Sequence, residues 1–152
     1  MHPHVHLAVV LSAGLLLELQ PMILLVFITS GTMIDLDILL SSWAPEKNHR
    51  LLPSHWISLW LGITLIGAFF FEIFFWVGVG GLLHLFLDLL DWGLPILAPI
   101  NLNLSPHLLP CPPEEKKYPW KWFVQRYYGN KAIVAAEIVS IILVMLLLLS
   151  EL

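Results

Sequence analysis

The chain predicts an all-α integral membrane fold, built from two short helical hairpins and a C-terminal transmembrane helix. Three observations carry that expectation. The 152 residues are 59% hydrophobic and only 12% charged, with a mean hydropathy of +0.86, against roughly 25% charged residues in a soluble domain. The apolar residues gather into long runs rather than scattering. The seven Lys and Arg residues, by contrast, are confined to the stretches between those runs. A chain this short leaves much of its surface exposed on folding, so lipid must cover the apolar excess. The length suits a single domain, residues 1–152.

The first hairpin is expected over residues 6–36. Its apolar run, residues 7–34, is interrupted near the middle by Glu18, Leu19, Gln20 and Pro21. Proline removes a backbone donor and a carboxylate in lipid is costly, so the turn is placed there. No Lys or Arg precedes this run, as one would in a secretory leader, and the segment is expected to be retained. Residues 37–55 are read as a connecting loop.

The second hairpin is expected over residues 56–91. As one helix, its apolar run (residues 56–90) would reach about 52 Å at 1.5 Å per residue, beyond a hydrocarbon core of about 30 Å. Its one charge ahead of Asp88 is Glu72, which places the turn around residues 67–72.

Residues 92–130 form a proline-rich and aromatic segment. Pro95, Pro99 and Pro106 argue against a regular helix. Trp120, Lys121, Trp122, Arg126, Tyr127 and Tyr128 mix aromatics with cations, as interfacial anchors do. Residues 131–150 close the chain. Within them, residues 132–149 carry Glu137 as their one charge and are long enough to cross a bilayer.

Charge tests this topology. Two hairpins put the N-terminus, the 37–55 loop and the 92–130 segment on one side of the membrane. Lys47, Arg50, Lys116, Lys117, Lys121, Arg126 and Lys131 all fall on that side, and Glu18, Glu72 and Glu151 on the other. The positive-inside rule makes the cationic side cytoplasmic. A net charge of −4 gives no polycationic footprint, so nucleic acid is not an expected partner. Cys111 is the one cysteine and can form no internal disulfide. Membrane lipid is the expected partner, and a homo-oligomer or larger membrane complex stays open.

Residues able to carry chemistry are few. His84 and Asp88 stand four apart, hence on one helical face, with Asp91 about a turn further on. A helix end meeting water is the plain alternative, but an unpaired Asp88 after so apolar a run would be expensive. Asp35 and Asp37 close the first hairpin, His49 and His55 lie in the loop, and His6 opens the first arm. Singly, each is an ordinary polar residue. Yet His6 and Asp35 stand as far apart along the chain as His55 and His84, and near-equal arms return a hairpin to its starting depth. His6, Asp35, His55, His84 and Asp88 would then share one level, with His49 folding over them. Converging imidazoles and carboxylates suit a divalent metal, zinc first and manganese or magnesium next, singly or as a pair.

The order GTMIDLD, HRLLPSH and GLLHLFLDLLDWGLPILAP resembles the predicted membrane-bound metal-dependent hydrolases typified by the YdjM family. It is more loosely similar to zinc-dependent phospholipases C. The family's early His, Asp-x-Asp pair, His-Arg loop, His-x-x-x-Asp helix and Gly-x-Pro segment match His6, Asp35/Asp37, His49-Arg50-His55, His84/Asp88 and Gly93–Pro95. The likeness covers about residues 6–100. Here the loop is one residue longer, Pro53-Ser54 stand in place of a threonine, and Ile38 stands where a histidine is common. The resemblance implies a hydrolase acting on a phosphoester of a lipid or lipid-linked substrate at the membrane interface. His6, Asp35, His49, His55, His84 and Asp88 would be the metal ligands. Asp37 or Asp91 would serve as general base or orient a ligand histidine, and Arg50 would hold a phosphate. Two other classes stand beside it: a non-catalytic subunit of a membrane complex, docking through its aromatic stretch, and a metal-handling membrane protein.

Overall fold

A computed structural model describes residues 3–91, 93–105, 129 and 131–150. Among these the regular structure is entirely helical. Helix α1 spans Pro3–Leu16 and α2 spans Pro21–Thr32. Between them the chain turns through Glu18, whose φ of 51° is left-handed. Pro21 does not kink a helix here. It opens α2, where its fixed φ suits the first turn and its missing N–H costs nothing.

Beyond Thr32 the coil tightens into a 3-10 helix, Ile34–Trp43. Residues 37–43, expected in a loop, are thus helical. The chain meets no proline or glycine there until Pro45. Three single 3-10 turns follow: Pro45–Lys47, His49–Leu51 and Pro53–His55. Prolines open the first and third.

Helix α3 spans Ile57–Phe70 and α4 spans Glu72–Asp91, with extended Phe71 between them. They run back along each other at backbone contact. A Cβ on Gly67 would strike the backbone of Phe75, and one on Gly78 the backbone of Thr64. After α4, Gly93 takes φ 79°, and the chain leaves through a loop pinned by Leu94 and Ser105. The Ser105 N–H donates to the Leu94 carbonyl at 2.8 Å, and the Leu94 N–H to Ser105 Oγ at 3.1 Å. Ser58 ties this loop to α3 through the Ala98 carbonyl at 2.8 Å. Residues 93–105 contain turns but no helix, and the rest of the 92–130 segment lies largely outside the described residues. Helix α5, Lys131–Ser150, packs against α1, with Glu137 3.8 Å from His4.

Two segments, Pro21–Trp43 and Glu72–Leu90, are long and apolar enough to cross a membrane. The C-terminal stretch expected to cross provides a shorter apolar helix, Val134–Leu149. The buried apolar core is small: Val5, Val10, Phe27, Leu85, Leu87 and Leu94 are among its members. Large apolar side chains such as Phe69, Phe70, Ile100, Ile138 and Leu149 are exposed.

Candidate metal centre

Among the described residues, every buried charged or imidazole side chain converges on one point. His6, His55 and His84 are completely buried and Asp88 is 1% exposed. Desolvating so many polar groups is tolerable only if each has a partner. The partners are one another.

Four atoms form the centre: His55 Nε2, His84 Nε2, Asp35 Oδ1 and Asp88 Oδ2. His55 Nε2 lies 3.7 Å from Asp35 and 3.4 Å from Asp88. His84 Nε2 lies 3.5 Å and 3.6 Å from the same two oxygens. Neither nitrogen makes a hydrogen bond. Tetrahedral zinc holds N and O donors at about 2.0–2.2 Å, which sets the donors about 3.3–3.6 Å from one another. These four of the six donor–donor spacings lie within about 0.1 Å of that range, and all four atoms lie within 4.8 Å of one another, so this donor set could hold a divalent ion.

Both imidazoles are held in the orientation a ligand needs. His84 Nδ1 donates to the Gly31 carbonyl at 3.1 Å, which leaves the Nε2 lone pair facing the centre. His55 Nδ1 donates to Asp37 Oδ2 at 3.0 Å, and Ser54 Oγ donates to the same carboxylate oxygen. Backbone carbonyls and carboxylates behind ligand histidines fix the tautomer and the ring. Asp37 therefore stands behind the His55 ring, on the side away from the four-atom centre. The 3-10 segment makes this possible. At about three residues per turn, Asp35 and Asp37 lie about 120° apart around the axis, against about 160° in an α-helix. Both can then reach the His55 ring, one at each nitrogen.

The remaining expected residues surround this core. His6 stacks on His84 with ring centroids 4.1 Å apart, and its Nε2 lies 3.4 Å from Asp88 Oδ1, the oxygen turned away from the four-atom centre. Asp88 is thus shared between His6 and the centre. His49 meets the His55 ring edge-on at 5.3 Å and lies near Asp37. Burial, with Arg50 and His55 nearby, lowers the His49 pKa and keeps its imidazole neutral. Burial also pulls His55 down, but the carboxylates of Asp35, Asp37 and Asp88 close around its ring outweigh it and push that group up to about 10. Arg50 Nε comes within 3.8 Å of Asp88 Oδ2. The Asp91 side chain lies outside the described residues.

Sequence reasoning did not single out Ser54 or the Gly31 carbonyl. Ser54 directly precedes His55, a position from which a hydroxyl reaches the same carboxylate. The carbonyl has no signal in a sequence.

No protein-family model, curated protein or solved structure matches the chain.

Proposed function

We propose that the chain is an integral membrane, metal-dependent hydrolase acting on a phosphoester of a lipid or lipid-linked substrate, with its centre at the cytoplasmic interface. The observation that carries this reading is the set of two Nε2 atoms that make no hydrogen bond and two carboxylate oxygens at zinc-like spacings, each imidazole anchored from behind. Asp35, His55, His84 and Asp88 would hold the ion, with His6 and His49 beside them. Two imidazoles favour zinc over the harder magnesium. When bound, such an ion supplies Lewis-acid activation of water and of a phosphoryl oxygen.

The chain's own residues do the rest. Asp37 holds the His55 ring so that its lone pair points inward. Asp88 draws His6 and Arg50 to the same place. Arg50 offers a planar fork of donors suited to a phosphate. Exposed apolar side chains on α3 and α5 suit burial in lipid, which presents the headgroup of a lipid substrate at interface depth.

The test is elemental analysis of the detergent-purified chain, followed by headgroup release assayed with zinc, manganese or magnesium. About one ion per chain and metal-dependent release are expected, and His84→Ala should lose both. A chain that holds no ion, or His84→Ala at full zinc occupancy, would sink the assignment. Ion binding with no hydrolysis of any lipid phosphoester would favour metal handling.

A further inference from the structure

Trp60 lies on α3, outside the donor set, yet it touches both the loop that carries His55 and the helix that carries His84 and Asp88. Its indole N–H donates to the Ser54 carbonyl at 2.6 Å, next to His55 in the chain. The benzo edge of the same ring lies against Gly81 of α4, so close that a Cβ there would collide with it. Gly81 is one helical turn before His84 and two before Asp88, on their face of the helix. A single rigid ring thus spans from the loop that carries His55 to the helix that carries His84 and Asp88. Any side chain at Gly81 would push that ring, and with it the loop, away from α4.

We propose that Trp60 is a positioning residue for the metal centre. Its indole sets the separation of His55 from His84 by bridging the Ser54 carbonyl to the glycine face of α4. The proposal rests on the metal-centre reading above, and it makes Gly81 and Trp60 one unit rather than two independent packing residues.

Four variants test it in the detergent-purified chain: Gly81→Ala, Trp60→Phe, the double variant, and Gly62→Ala. Gly62 is the control, since a Cβ there meets open space on the same helix as Trp60. The first readout is the affinity and visible absorption of added cobalt, which report donor geometry. The second is modification of His55 by diethyl pyrocarbonate in the metal-free chain, located by mass spectrometry.

Gly81→Ala and Trp60→Phe should each weaken cobalt binding about 10–100-fold, the range for groups that orient metal ligands. Each should weaken the tetrahedral cobalt bands and speed His55 modification. The double variant should be no worse than the worse single one, because both act through the same contact. Gly62→Ala should behave as wild type. Wild-type cobalt affinity and His55 protection in both single variants would overturn the proposal, as would fully additive losses in the double variant. Should Gly81→Ala lose its helical circular dichroism, Trp60→Phe decides, since it adds no atom. If the wild-type chain takes up no cobalt, the metal-centre reading fails by itself, and His55 modification still decides whether Trp60 holds the loop.

Discussion

Replacing Asp37 with asparagine keeps the size and shape of the side chain behind His55 and removes its charge. The native contact is His55 Nδ1 to Asp37 Oδ2 at 3.0 Å. In Asp37→Asn the amide carbonyl could still accept that hydrogen bond. A charge-assisted bond is roughly twice as strong as a neutral one, so the loss is about 1–1.5 kcal/mol, or close to tenfold in zinc affinity. Asp37→Ala removes the acceptor altogether and strands a buried donor, adding about 1–3 kcal/mol and extending the loss to about 100-fold or more. Ser54→Ala takes away one neutral donor to Asp37 and should cost severalfold at most. Competition against a chromophoric zinc chelator at about pH 7.5 measures all three. The expected order of affinity is wild type, Ser54→Ala, Asp37→Asn, Asp37→Ala. An Asp37→Ala variant that binds zinc within about twofold of wild type would refute the claim that Asp37 orients the ring.

Three further outcomes follow from the same geometry. The His55 pKa stands above its ordinary value of 6.5, at about 10, so between those limits the ion-free centre holds a proton that an incoming ion must displace. Zinc binding at about pH 7.5 should release protons and strengthen as pH rises toward about 10; calorimetry in buffers of differing ionisation enthalpy measures this, and zero release would contradict it. Arg50→Lys keeps the charge but loses the planar fork, so KM for a lipid phosphoester should rise about tenfold while zinc affinity stays within about threefold; steady-state kinetics beside the chelator assay separates the two effects. Gly67→Val drives a side chain into the backbone of Phe75 and should destabilise the α3–α4 pair by about 1–3 kcal/mol or more, read as a lowered Tm by circular dichroism, whereas Gly62→Val should leave the Tm nearly unchanged.

The parts of the centre that obey a local period were visible before any coordinates. His84 and Asp88 share a face because about 3.6 residues make a turn, and that inference needs nothing beyond spacing. Asp35 and Asp37 stood out as a pair, but two residues apart on an ordinary helix they would diverge. The 3-10 winding that aims both at His55 depends on packing against the loop, which no periodicity records. Asp37 illustrates the limit well. Its residue type allows a base or an orienting partner, and nothing in the spacing shows that His55 Nδ1 donates to it. Trp60 carries no signal in the sequence, because its partner, Gly81, is chosen by the α3–α4 register. The apolar runs and the turns within residues 18–21 and 67–72 were legible in the sequence, while the left-handed Glu18 and the extended Phe71 that make those breaks were not.

The donors around Asp88 come from the start of α1, the 3-10 helix, the connecting loop and the last turns of α4. No shorter piece of the chain carries a complete set. During synthesis the pocket therefore cannot close until residue 88 has emerged and the helices before it have found their neighbours. Capture of an ion would then be a late event that locks assembly, joining segments that lipid alone would leave free to slide. Starving a cell of that ion should thus thin the population of intact molecules as well as silence them.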